Sequence, residues 1–141
     1  MGEFVTTQKV RFGHVDPAGI AYFPRIYDYI HEAFEELWDE HVGARYYELI
    51  GQRRIGFPLV RSEVEFSAPL RFGDAPRVAV TCFHLGRSSL GLRYRYTLDA
   101  QLCVDARMTT ACIDLATMKS LPMPAEFRAK FEEIRAPLDA L

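Results

Sequence analysis

Gly13-His14-Val15-Asp16-Pro17-Ala18-Gly19-Ile20-Ala21-Tyr22-Phe23-Pro24 spells a turn followed at once by the start of a helix. Pro presets φ, Gly accepts positive φ, and an Asp side chain can bond its own backbone two residues on, so Asp16-Pro17-Ala18-Gly19 carries a turn signature. Pro24 suits a first helical position, where a missing N–H costs nothing. The first N–H groups of a helix have no partner inside it, and the helix dipole is positive there. A carboxylate facing such an end can attack a carbonyl, or activate water against one, while the carbonyl oxygen rests on a free N–H. Asp16 is therefore both a turn residue and a candidate catalytic carboxylate.

Downstream of this stretch the spacing predicts a long helix from about Pro24 to His41. Ile26, Ile30, Ala33, Leu37 and His41 recur every three or four residues, with Phe34 and Trp38 beside them. Asp28, Glu32, Glu35, Glu36, Asp39 and Glu40 form its solvated side, and Gly43 can end it. A short helix follows over about Arg45 to Ile50. Upstream, Gln8 to Phe12 reads as a short strand.

The rest alternates with the period of two that marks strands. Val60, Val64 and Phe66 alternate with Arg61, Glu63 and Glu65; Val78, Val80 and Cys82 with Ala79, Thr81 and Phe83. The clearest pattern sets Leu90, Leu92, Tyr94, Tyr96 and Leu98 against Gly91, Arg93, Arg95 and Thr97. Leu102 to Leu115 is a long last strand, and Pro124 to Ile134 a terminal helix. Short turns join the strands, which makes the sheet antiparallel. The expected architecture is α+β: about five strands curling around one long helix, in a single domain over residues 1–141.

Composition fits that reading. The chain has 141 residues, 49% hydrophobic and 26% charged, with a net charge of -2. A domain of about 150 residues hides roughly 70% of its unfolded surface, so a real core is available. The net charge gives no reason to invoke nucleic acid or an anionic membrane as a partner. The N-terminus lacks the basic and apolar regions of a secretory signal, and no apolar run has transmembrane length. Cys82, Cys103 and Cys112 match no zinc spacing and read as small core residues in a reducing compartment. A cytoplasmic location is the expectation, with no cofactor or metal.

The quoted segment closely resembles the active-site segment of the 4-hydroxybenzoyl-CoA thioesterases, members of the hotdog superfamily. The likeness continues at Phe66 to Asp74, at the hairpin Gly86-Arg87-Ser88-Ser89 and at Met123-Pro124-Ala125-Glu126-Phe127, so that it spans essentially the whole chain. The resemblance implies a hotdog fold, a curved antiparallel sheet around a long helix. It also implies hydrolysis of an acyl-CoA to free acid and CoA, the acyl-CoA being substrate rather than cofactor. Asp16 matches the family's catalytic aspartate, a nucleophile or general base. Phe23 matches the residue whose backbone N–H polarises the thioester carbonyl, and Gly19 lies in the same loop. Arg87, Ser88 and Ser89 fall in the hairpin that helps to hold CoA, and Lys119 falls where relatives carry a further basic residue. Related enzymes are homodimers or homotetramers, with the thioester tunnel between subunits.

Tyr22 and His31 are further candidate substrate contacts. Where this chain has Phe23, aryl-acyl relatives tend to have Tyr and Tol-Pal-associated relatives His; a backbone N–H survives either change. Relatives often have an acid where this chain has His31. That histidine reads as a partly buried, satisfied side chain, or as a contact to a polar acyl substituent. His14 reads as an exposed loop histidine or as an electrostatic neighbour of Asp16; His41 and His84 read as structural. Tyr46, Tyr47, Tyr94 and Tyr96 read as core or dimer interface. An aryl-CoA is the favoured substrate, with a short- or medium-chain aliphatic acyl-CoA as the alternative. A non-enzymatic acyl-CoA-binding protein and a hydratase built on a catalytic His are remoter readings.

Overall fold

A computed structural model describes residues 2–138. The first strand, β1, is Phe4–Thr7, and the long helix α1 is Phe23–Leu37. A single wide turn over Trp38–Val42 extends α1: the Gly43 N–H reaches back to the Trp38 carbonyl at 2.9 Å. Gly43 stops the helix at φ 88, a conformation that favours glycine. Helix α2, Tyr46–Glu48, runs on through a similar wide turn over Leu49–Arg53. Then come β2 (Ile55–Gly56), β3 (Leu59–Phe66), β4 (Arg77–Leu85), β5 (Ser89–Leu98) and β6 (Gln101–Ala111). The chain continues through β7 (Ile113–Asp114) and β8 (Lys119–Ser120) to α3 (Ala125–Glu132).

Five strands form one antiparallel sheet in the order β1-β4-β5-β6-β3, and β2, β7 and β8 form a small second one. Central strand β5 turns Leu90, Leu92, Tyr94 and Tyr96 into the core, each no more than 2% exposed. They join Ile26, Ile30, Ala33 and Leu37 of α1 in one continuous cluster. Trp38 is fully buried among the rings of Phe34, Tyr46, Phe57, Phe127 and Phe131, at centroid distances of 5.0–6.1 Å.

Three expectations need correction. The first strand lies at Phe4–Thr7, because Gln8 to Arg11 form no ladder and Phe12–His14 form a tight helical turn. The long last strand is two: pairing breaks at Cys112, and β7 leaves the main sheet for the small one. Apolar alternation in β3 does not mark burial. Val60 and Phe66 are 62% and 54% exposed and only Val64 of the alternating set packs against the core, because β3 is the sheet's edge. All three cysteines are buried and free, as expected of core residues. Among the described residues no helix is long and apolar enough to cross a membrane.

Candidate active site

Asp16 opens the turn. Its carbonyl accepts the Gly19 N–H at 2.8 Å, and its Oδ1 accepts the Ala18 N–H at 2.9 Å. Gly19 sits at φ 82, which lets the chain reverse so that the Asp16 N–H reaches the Ile20 carbonyl at 3.0 Å. The loop is stitched on both sides: Tyr22 N–H to the His14 carbonyl at 2.9 Å, and Ala21 N–H to the Leu70 carbonyl at 2.7 Å. A turn and a fixed carboxylate are thus the same object. One carboxylate oxygen builds the turn; the other has no protein partner among the described residues.

The helix begins where this loop ends. Tyr22 is its extended N-cap residue and Phe23 its first helical residue. Pro24 has no N–H, and the Arg25 N–H turns back to the Tyr22 carbonyl at 2.7 Å. The Phe23 N–H is left unpaired among the described residues, at the positive end of a 15-residue helix. Asp16 and Phe23 line one cleft of about 590 Å³ with Ile26, Phe66, Ala68 and Leu70. A carboxylate and an unpaired donor, carried by two residues of one apolar cleft, are the two parts needed to add to a carbonyl and hold the resulting oxyanion. The Tyr22 side chain is half exposed, packs on the Phe23 ring at 5.4 Å, and does not line this cleft.

A second cleft of about 600 Å³ lies farther along the same side of α1. Tyr27, Phe34, Tyr46, Tyr47 and Phe57 give it an aromatic lining. His31 stands in it, its Nε2 2.8 Å from Glu35 Oε2 and its ring stacked on Phe34 at 6.0 Å. Its side chain is 61% exposed, so the partly buried reading is corrected: one helical turn separates it from Glu35, and both project outward. The Tyr27 hydroxyl meets Ser62 Oγ of β3 at 3.5 Å. Tyr94 and Tyr96 are core, and Tyr46, Tyr47 and Tyr94 line the aromatic cleft. His14 is half-buried, which corrects the exposed-loop reading, and its Nδ1 lies 2.9 Å from the Tyr29 hydroxyl.

Arg87, Ser88 and Ser89 occupy the β4–β5 turn, with Arg87 exposed. The Ser88 hydroxyl donates to the Leu121 carbonyl at 2.6 Å, and Ser89 Oγ lies 2.7 Å from His84 Nε2. The Cys112 N–H bonds the Ser88 carbonyl, and Ile113 pairs with Ser120, which brings exposed Lys119 to the same end of the sheet. Arg128 of α3 donates to the carbonyls of Gly86 and Arg87 and adds a third cation there. No local motif marked Arg128, which meets the turn only through the fold. Leu59 pairs with Thr110 at this end of the sheet, whereas Phe66 pairs with Val104 at the end that holds Asp16. Eight residues of β3 at about 3.3 Å each separate the two ends by roughly 23 Å. Within one chain, Asp16 and the Arg87 turn do not meet.

Residues 10–131 match the family model described as the thioesterase-like superfamily. A 1,4-dihydroxy-2-naphthoyl-CoA hydrolase of Synechocystis is 28% identical over 140 residues, 97% of this chain and 100% of that protein. Among solved structures, a 1,4-dihydroxy-2-naphthoyl-CoA thioesterase from Synechocystis superposes with a TM-score of 0.86 at 25% identity, covering 94% of this chain and 98% of the other. A gentisyl-coenzyme A thioesterase superposes with a TM-score of 0.82 at 27% identity, covering 91% and 99%. The chain belongs to the thioesterase-like superfamily, as a thioester hydrolase of the hotdog fold.

Proposed function

We propose that this protein hydrolyses an aryl-CoA thioester to the free acid and CoA, with Asp16 as nucleophile or general base. One observation supports the reading: Asp16 and Phe23 are lining residues of the same cleft, and the Phe23 N–H is unpaired among the described residues. The thioester carbonyl oxygen accepts the Phe23 N–H. As a nucleophile, Asp16 adds to the carbonyl carbon, CoA leaves as the thiolate, and water cleaves the mixed anhydride to restore Asp16. As a general base, Asp16 takes a proton from the water that attacks the carbonyl. Both routes place the developing negative oxygen on the same donor.

The aryl preference rests on the ring-lined second cleft and on relatives named for dihydroxynaphthoyl- and gentisyl-CoA. The His31–Glu35 pair supplies hydrogen-bonding groups for a ring hydroxyl. 4-Hydroxybenzoyl-CoA is one member of the class.

The active unit in this reading is a homodimer formed through β3, either alone or within a homotetramer. The strand is an open edge with exposed apolar side chains, a feature that natural proteins cover or pair. Antiparallel pairing of β3 with its copy sets the Phe66 end of one protomer against the Leu59 end of the other. Each Asp16 cleft then faces the partner's aromatic cleft and basic turn. The test is thiol release over hydroxylated aryl-CoAs, benzoyl-CoA and straight-chain acyl-CoAs. We expect the highest kcat/KM for a hydroxylated aryl-CoA, and a His31→Ala variant that loses on the order of 10-fold there while changing little for benzoyl-CoA. A clear preference for straight chains would overturn the aryl reading.

A further inference from the structure

His14 is held at more points than a loop side chain needs. Its backbone N–H donates to the Arg11 carbonyl at 2.9 Å, and its own carbonyl accepts the Tyr22 N–H at 2.9 Å. Its Nδ1 lies 3.2 Å from the Arg11 N–H and 2.9 Å from the hydroxyl of Tyr29. A backbone N–H can only donate, so Nδ1 is an acceptor and the ring proton sits on Nε2. The Tyr29 hydroxyl, at the shorter distance, is then a donor that shares the single Nδ1 lone pair with the Arg11 N–H. Tyr29 belongs to α1 and is fully buried. Burial, with Glu32 adding to it, raises its phenol above the ordinary tyrosine value and keeps it a donor.

These bonds tie two pieces of chain together. His14 stands two residues before Asp16, and Tyr22, which it holds through the backbone, stands directly before Phe23. Tyr29 anchors the same ring to the helix whose first N–H is that of Phe23. On the reading that Asp16 and Phe23 are the reacting pair, we propose that His14, braced by Tyr29, is a positioning residue that fixes the Asp16 carboxylate relative to the Phe23 N–H. It touches no reacting atom. Without the Nδ1 bond the His14 ring loses its hydrogen bond to α1. A small drift of the carboxylate then lowers turnover steeply, since misplacement by about 1 Å can cost on the order of 100-fold.

The experiment compares purified, folded variants by steady-state thioester hydrolysis, with circular dichroism fixing the folded fraction. His14→Leu removes the acceptor at similar size. His14→Asn restores an oxygen near the Nδ1 position, and His14→Gln sets its oxygen one bond farther out. The expected result is a kcat lower by on the order of 10- to 100-fold in His14→Leu and His14→Gln, with KM within about 2-fold. His14→Asn should recover to within about 3-fold of wild type. Tyr29→Phe should lower kcat less, and should add nothing on top of His14→Leu, because both act through one bond. A merely structural role predicts that activity per folded molecule is unchanged and that Asn rescues no better than Leu; either result overturns the proposal. Asp16→Asn is assayed alongside. If it is inactive while His14→Leu turns over normally, the positioning role fails alone. If Asp16→Asn is active, the reacting pair is misassigned and the positioning role falls with it.

Discussion

Asp16 Oδ1 accepts the backbone N–H of Ala18 at 2.9 Å, so the turn and the proposed catalytic carboxylate share one side chain. This sharing separates two substitutions. Asp16→Asn keeps an oxygen at Oδ1 and hence the turn, but is neither a nucleophile nor a base. It should fold with unchanged melting temperature and lose at least about 100-fold in kcat. Asp16→Ala should lose the same activity and some stability as well, on the order of 1 kcal/mol for the lost bond. Thermal melts with turnover assays check both. Wild-type turnover in Asp16→Asn would rule out the assignment.

The long helix and β5 were legible because each repeats one period over many residues and buries one face against the other. The turn at Asp16 and Gly19 and the helix start at Phe23 were legible because turn chemistry and helix-start chemistry are local. Long-range relations were not. Val60, Val64 and Phe66 alternate like core residues, and only the strand order reveals that they lie on an open edge. Arg128 meets the Gly86 carbonyl 42 residues away in sequence, and Tyr29 meets His14 across the start of a helix. Neither contact leaves a pattern in neighbouring residues. The strand expected at Gln8 to Phe12 failed for a related reason: pairing with β4 was decided by Phe4–Thr7, which lies opposite Val80 to Arg77.

The open edge gives the second prediction. Light scattering should show a dimer or a dimer-based assembly at assay concentration. Val60→Lys places a charge on the exposed edge, where no burial in the isolated chain opposes it. The variant should retain its circular dichroism, dissociate, and lose hydrolysis in proportion to the monomer formed. A monomer with full activity would remove the edge-pairing reading.

Cys82 gives a prediction in pH. It is fully buried, and burial pushes its thiol up to about 11 from an ordinary value of 9.0. Between pH 9 and 11 the unfolded chain has released this proton while the folded chain still holds it. The native state then binds more protons, so stability falls as pH rises, by up to about 1.4 kcal/mol per pH unit for one group. Below pH 9 both states hold the proton and the effect is flat. Tyr94 and Tyr96, raised by the same desolvation, add to the loss at higher pH. Urea midpoints from pH 7.5 to 10.5 should be level and then decline, and Cys82→Ala should flatten the first part of the decline. The native thiols should stay unreactive toward an aromatic disulfide reagent until urea unfolds the chain. An unchanged decline in Cys82→Ala would assign the alkaline loss to other groups.

The final prediction concerns the basic end of the sheet. CoA carries a diphosphate and a 3′-phosphate, and a protein of net charge -2 must hold them with local cations. Arg87 is exposed in its turn, Lys119 stands nearby on β8, and Arg128 is bound to the carbonyls beneath Arg87. The Ser88 and Ser89 hydroxyls already have protein partners, so on the proposed reading Arg87 and Lys119 are the side chains that meet the phosphates. Nucleotide contacts are alike in ground and transition states, so Arg87→Ala should raise KM with little change in kcat. The rise should be on the order of 10-fold, limited by solvent exposure, and should shrink as salt screens the wild-type contact. Arg128→Ala should raise KM too, by freeing the turn, and should lower the melting temperature, which Arg87→Ala should not. Dephospho-CoA thioesters separate the two kinds of effect: loss of a direct phosphate contact narrows the gap between CoA and dephospho-CoA substrates, whereas loss of turn rigidity weakens both alike. If Arg87→Ala and Lys119→Ala leave KM unchanged for both thioesters, CoA is bound elsewhere.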